Sequence, residues 1–319
     1  MNSPKSATLN SKINRFLLLI VVLGISGPFA LPLRAQQVNA SGYVGSSAPI
    51  NGPGGLTVVR NSEYNNVVSW NAISGATSYT LQHKSLSPAN QWTNVPGCNP
   101  SSTTCTDITG TSSAYAYRVQ ASNGANITDW SNIAVFLSEP NNDGYVTGPP
   151  FSTNSAVPSA IQPGIRAGEG VPGTVNASID VRGFLSFNTS LLGSDTTILG
   201  ARLRLKQSTN NDAFDLLGPC MVDIETSAFS ANSALQVGDF YYTDTNTTVD
   251  AFEITGVGSD QWFQAEVGPA AADEVSNDDY TQFRIYFNHS DTINKYAGWY
   301  SGESSDNNSQ PQLIVRYQE

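Results

Sequence analysis

The sequence predicts an all-β protein of two tandem antiparallel β-sandwiches: an immunoglobulin-like one, then a larger jelly-roll-like one. Three observations carry this. After residue 36, apolar and polar residues alternate in short runs, the period of a strand with one buried face. Clusters of Gly, Pro, Asn, Asp and Ser separate the runs at about a dozen residues, the spacing of antiparallel sandwiches. No stretch after residue 36 sustains a helical period, and 319 residues suffice for two domains.

The N-terminus comes first. Residues 1–15 hold Lys5, Lys12 and Arg15 and no acidic residue. Residues 16–29, FLLLIVVLGISGPF, are apolar, and small residues around Ala35 supply a cleavage point. That order is a secretory signal peptide, residues 1–36. The alternative is a membrane anchor, but the strongly apolar part is shorter than the ~18 residues of a span and is broken by Gly24, Gly27 and Pro28. The expected location is secreted or cell-surface, with no membrane span after cleavage. Residues 37–52 read as a small polar linker.

The whole chain carries a net charge of −11; losing residues 1–36 leaves eleven basic and 26 acidic side chains, or −15. Such a balance excludes nucleic acid and anionic membrane surfaces as partners, because both are bound through basic patches. Cys98 and Cys105 enclose NPSSTT, and in an exported chain the pair reads as a local disulfide. Cys220 has no sequence neighbour to pair with and reads as a small buried hydrophobe.

From residue 53 the runs follow in order. Leu56, Val58 and Val59 open a strand behind Pro53; VVSW (67–70) is a second and YTLQH (79–83) a third. Trp92 begins the next element, YAYRVQA (115–121) alternates strictly, and IAVF (133–136) closes the unit. VVSW, ATSYTLQ, and YAYRVQASN followed by TDWS together resemble a fibronectin type III module over about residues 53–138. The resemblance implies a spacer or protein-binding unit whose tryptophans and tyrosines are core, with Tyr115 at the place of a tyrosine corner.

Residues 139–149, EPNNDGYVTGP, read as a junction into a second all-β unit, residues 139–319. Its clearest strands are 178–181, 183–187, 203–205, 222–224, 283–287 and 313–315; only 233–237 and 270–274 suit short helices. The alternating QWFQAEV (261–267) is a further strand with Trp262 as core. DGYV (143–146), RGFLSFNTSLL (182–192), TILGARLRLKQ (197–207), WYSGES (299–304) and the closing PQLIVRY resemble a DNRLRE-type domain of secreted microbial proteins, which is similar to a carbohydrate-binding module. That family often has Asp where this chain has Asn188.

Enzymatic chemistry finds little purchase. His83 and His289 fall in different predicted units, and there is no nucleophile elbow, zinc motif or phosphate loop. Paired carboxylates need not be close in sequence, so Asp223, Glu225, Asp278, Asp279 and Glu303 are the candidates for a polysaccharide-cleaving enzyme. Asp223 and Glu225 flank Ile224 and share a face, expected to be a solvated one; Asp278 and Asp279 read as a solvated turn.

Sugar recognition wants a flat ring beside carboxylates and amides. The segment between the last two clear strands offers Tyr296, Trp299, Tyr300 and Glu303 in an expected loop, and Trp299 and Tyr300 point to opposite faces, so the two do not share a surface. Core packing is the competing role for Trp299. Oxygen-rich stretches, 141–143 and 305–308, suit a structural Ca²⁺ if the ends of the second unit meet, with Asp143 and Asp306 as ligands. The expected function is non-catalytic: polysaccharide or surface-glycan binding, or adhesion. The alternative is a structural or protein-interaction component of a matrix or surface layer that contacts extracellular proteins.

Overall fold

The computed structural model describes residues 52–62, 65–109, 114–137, 143–148, 160–162, 164–169, 179–210, 212–225, 235–241, 248–288, 295–306 and 308–319. The expected signal peptide (1–36), the expected linker up to residue 51, His289 and Asn141–Asn142 lie outside them. All of them belong to one unit, Ala48–Glu319.

The first sandwich holds β1 (Thr57–Ser62), β2 (Asn65–Ser69), β3 (Ser78–Ser85), β4 (Thr93–Asn94), β5 (Thr104–Ile108), β6 (Ala114–Ser122) and β7 (Ile133–Leu137). β1-β2-β5 form one sheet and β7-β6-β3-β4 the facing one. Alternation builds the core: Val58, Val68, Trp70, Leu81, Val119 and Phe136 point between the sheets. Tyr115 Oη donates to the Thr109 carbonyl at 2.8 Å, a tyrosine corner at the start of β6. The Cys98–Cys105 disulfide closes the loop before β5, with Cα atoms 5.4 Å apart.

The buried Arg60, Asn66, Tyr117 and Asp107 of this core pair with one another, as desolvation requires. Arg60 Nε donates to Asn66 Oδ1 (3.1 Å), Asn66 Nδ2 to Tyr117 Oη (2.9 Å), and Tyr117 Oη to Asp107 Oδ2 (2.9 Å). His83 Nδ1 lies 2.5 Å from the same Asp107 oxygen. His83 therefore belongs to a structural network.

The second sandwich holds β8 (Gly144–Gly148), β9 (Ala160–Gln162), β10 (Ile165–Glu169), β11 (Asp180–Asn188), β12 (Thr197–Asn210), β13 (Cys220–Glu225), β14 (Thr248–Ile254), β15 (Trp262–Glu266), β16 (Tyr280–Phe287), β17 (Tyr296–Trp299) and β18 (Gln312–Gln318). One ladder runs β14-β13-β16-β11-β10-β17-β12-β18, with β8 on β11 and β15 on β12. All pairings among the described strands are antiparallel. Leu185, Phe187, Leu203, Leu205, Val222 and Phe283 fill the interior, and Cys220 is buried among them as a free thiol.

Several details depart from expectation. Residues 144–148 are strand, not junction: Gly144–Gly148 is buried throughout, so it lacks the alternation that marks a half-buried strand. The helix expected at 270–274 is one turn, α2 (Pro269–Ala272), residues 237–241 form a 3-10 turn, and the unforeseen α1 (Ala213–Leu216) is too short to show a period. Trp262 is not core. Phe263, paired with Leu205, packs on the interior, while Trp262 pairs with Lys206 on the opposite face and lies under the Arg204 guanidinium, 4.4 Å from the ring centre. Alternation gives two faces without saying which one is inside.

The two sandwiches share a sheet. β7, the last strand of the first, pairs with β18, the last of the second: Leu313↔Leu137, Ile314↔Phe136, Val315↔Val135 and Tyr317↔Ile133. Both faces of β7 are buried. Ala134 and Phe136 enter the first core and take Ile314 with them. Ile133, Val135 and Leu137 enter the second core beside Leu313, Val315 and Tyr317. Gln312 Nε2 donates to the Arg60 carbonyl at 3.3 Å and its Oε1 accepts from Arg204 Nη1. The first sandwich is thus built into the second and is not a spacer attached through a linker alone.

Candidate functional site

Tyr296 and Trp299 lie in β17, not in a loop, because β10 and β12 flank the segment with matching registers. Alternation along β17 separates them. Trp299 is buried at 2 % exposure among the second core. Tyr296 and Tyr300 lie on the other face and are half-buried. Arg166 lies over Tyr296 (5.4 Å to the ring centre) and Lys206 over Tyr300 (5.3 Å). Tyr300 Oη donates to Asp260 Oδ1 at 2.7 Å, which raises the phenol's pKa. Lys206 Nζ reaches Ser309 Oγ at 3.0 Å and Asp260 at 3.9 Å. The outward face of β12 and β15 next to it carries Arg204, Gln264 and Trp262. Of the four candidate binding residues, then, Tyr296, Tyr300 and Glu303 reach the surface and Trp299 does not.

Asp143, just before β8, does meet the loop after β17. Its Oδ2 accepts from the Gly302 N–H at 2.6 Å. Glu303, the exposed residue after Gly302, is near enough to disfavour ionisation of Asp143. Asp306 stays within the loop: its oxygens accept from the Asn308 N–H (3.1 Å) and Ser309 Oγ (2.6 Å), and these bonds lower its pKa. Burial, reinforced by Glu303, pushes Asp143 up to about 8. The folded chain therefore holds this proton where the unfolded chain has released it. Between about pH 4 and 8 the Asp143 contribution weakens folding as pH rises, by at most about 1.4 kcal/mol per pH unit. In chelated buffer, Asp143→Asn is expected to flatten the decline of denaturation midpoint over that range; parallel pH profiles for the two proteins would contradict it.

Asp223 and Glu225 share a face, but a buried one, at 2 % and 3 % exposure. Register sets Asp223 beside Arg284 on β16, and the two form an ion pair. Arg182 on β11 pairs with Asp180 at 3.3 Å and donates to the Phe240 carbonyl at 2.7 Å. Phe240, from the 3-10 turn, packs with Val146 and Phe184 and covers this end of the face. Burial raises the Asp223 pKa, with Arg284 opposing the shift. Sequence reasoning missed Arg182, Arg284 and Tyr286; the signal was Gln282, Arg284 and Tyr286 alternating with Phe283, Ile285 and Phe287. Among the described residues, no three His, Cys, Asp or Glu side chains converge as a metal cluster, and no helix is long and apolar enough to cross a membrane.

No family model and no curated protein matches the chain. Among solved structures it is similar to a Fn3-like protein from Clostridium thermocellum, at 33 % identity over 28 % of this chain and 92 % of that one, with a TM-score of 0.23. It is also similar to the FN1–FN3 domains of chicken CNTN1, at 11 % identity over 85 % of this chain and all of that one, with a TM-score of 0.24. The strand order β1-β2-β5 against β7-β6-β3-β4 and the Tyr115 corner stand on the geometry alone. By that arrangement, the strands from β1 to β7 have a fibronectin type III-like fold inside a larger all-β unit.

Proposed function

We propose that this chain is a non-catalytic extracellular binding protein that holds polysaccharide on the outward face of β12, β15 and the loop after β17. The observation that supports it is the cluster around Tyr300: a half-buried ring with Lys206 and Asp260 beside it, adjoining Trp262 and Arg204. Rings offer a surface for sugar C–H faces, and the flanking amide and charged groups match hydroxyls. The Cys98–Cys105 disulfide agrees with an oxidising compartment. Of the candidate carboxylates, Asp223 pairs with Arg284, and Asp223 and Glu225 lie on a buried face.

Retention of the purified chain on a panel of neutral and acidic polysaccharides tests this. At least one should retain it, and Tyr300→Ala with Trp262→Ala should weaken retention about tenfold or more. No retention on any member, or retention unchanged in the double variant, would count against the reading.

One observation favours protein contact as a second reading. On the first sandwich Arg118 lies between Trp92 and Trp130, 4.4 and 4.3 Å from the ring centres, with Lys84 4.8 Å from Trp92. Tryptophan and arginine clusters are common anchors of protein interfaces. Self-association or capture of an extracellular protein that Trp92→Ala abolishes, without glycan retention, would favour it.

A further inference from the structure

We propose that the polysaccharide held on the outward face of β12 and β15 is an acidic one, bearing carboxylate or sulfate groups, and that its track crosses β17 to Arg166 on β10. The inference rests on the polysaccharide reading and names the class of its ligand. After residue 36 the chain has eleven basic side chains, and five gather on this face: Arg166, Arg202, Arg204, Lys206 and Arg316. Alternation puts them there. Ile165, Ala167, Leu203, Leu205 and Val315 turn into the second core, so their neighbours along each strand turn away from it. Gly200 makes room for the last of the five: a Cβ there would stand 2.7 Å from Arg316 Nη2.

The carboxylates that pair with these cations do not balance them. Glu266 serves two guanidinia: its Oε1 accepts from Arg202 Nε at 2.7 Å and its Oε2 from Arg316 Nη2 at 2.9 Å. Asp260 lies 3.9 Å from Lys206 Nζ, and Asp306 keeps its oxygens on Asn308 and Ser309. Arg204 has only neutral partners, Gln264, Gln312 and the Trp262 ring. Burial, with Arg202 beside it, lowers its pKa to about 10, so it stays cationic at neutral pH. Arg166 is half-buried between two rings, 5.2 Å from the centre of Tyr145 and 5.4 Å from that of Tyr296. Its guanidinium has no ion pair or hydrogen bond among the described residues. Stacking holds a guanidinium by its planes and leaves free the N–H edge that grips an oxyanion. A neutral sugar leaves these cations without a partner. An acidic one pairs with them while its C–H faces meet the neighbouring rings. β10 and β12 stand ~10 Å apart across β17, so one small anion does not reach both, whereas successive charged units of a polymer do.

The test passes the full chain over immobilised polygalacturonate, dextran sulfate, uncharged dextran and single-stranded DNA. Each is run at physiological ionic strength and at ~1 M NaCl, where screening acts within ~3 Å. Polygalacturonate or dextran sulfate should retain the chain, and which of them does so tells carboxylate from sulfate. Salt should release it, and uncharged dextran and DNA should retain it far less. Arg166→Gln with Lys206→Gln should weaken retention about tenfold or more, with the near-ultraviolet circular dichroism of the parent. Lys206→Gln alone, at a partly exposed side chain, should weaken it about threefold and keeps the test decisive if the double variant proves insoluble. Retention on neutral polysaccharides alone, indifferent to salt and to both variants, would overturn the acidic ligand and leave the polysaccharide reading standing. DNA retained as firmly as the acidic polysaccharides would overturn it as well, since the face would then select only for negative charge. No retention on any polysaccharide, acidic or neutral, would remove both.

Discussion

Val135→Asp is expected to unfold both sandwiches together. Val135 has no exposed surface and sits in a row that crosses four strands: Ala116 on β6, Val135 on β7, Val315 on β18 and Ala201 on β12. All four side chains belong to the second core, although two of the strands belong to the first sandwich. Loss of the buried valine costs about 1.5–3 kcal/mol. An unpaired carboxylate in its place adds several kcal/mol more, even if it takes up a proton. The sum approaches the ~5–15 kcal/mol that holds a typical domain together. Denaturation followed by near-ultraviolet circular dichroism and by exchange of amides in each sandwich should show one shifted transition. A shift confined to the second sandwich, with the first melting as in the parent, would show that the shared strands are energetically separate.

Arg284→Ala carries the second large effect. Asp223 is 2 % exposed and its charge is balanced by Arg284; Tyr286 adds a hydrogen bond at 3.4 Å, and Asp250 lies near enough to disfavour ionisation. Removing the guanidinium leaves a buried carboxylate without its cation, a loss of about 3–5 kcal/mol. Burial already raises the Asp223 pKa, and loss of Arg284 raises it further. The folded variant then binds a proton that the unfolded chain releases, so its stability falls as pH rises above the ordinary carboxylate range. The deficit should therefore shrink toward acidic pH, and Asp223→Leu with Arg284→Met should recover much of it, since an apolar pair of similar volume leaves no buried charge. Urea midpoints of the three proteins across pH 4–8 check this. A pH-independent deficit, with no recovery in the double variant, would mean that the guanidinium acts through packing alone.

Parts of this structure were legible in the sequence because alternation exposes a strand with one wet face. The alternation in YAYRVQA and in residues 283–287 announced β6 and β16, and Tyr115, expected at a tyrosine corner, bonds to the Thr109 carbonyl. GYVTG was not legible, because a strand buried on both faces has no alternation to read. The pairing of β7 with β18 joins residues about 180 positions apart, and no local pattern encodes that register. Asp223 and Glu225 were correctly put on one face, but a sequence does not show that Arg284 and the Phe240 turn will bury it. The candidate site was half legible. The meeting of Asp143 with the loop after β17 follows from chain ends that converge, whereas the bonds that keep Asp306 within that loop belong to a turn no sequence pattern announces.

The central claim is that β7 and β18 make one sheet of two sandwiches. Residue-resolved hydrogen exchange of the full chain tests it most directly. Amides of Ile133–Leu137 and Gln312–Gln318 that bond across the ladder should exchange together, at the slowest rate in the molecule and with the stability of global unfolding. Fast exchange of the β7 amides facing β18, while the rest of each sandwich stays protected, would contradict it.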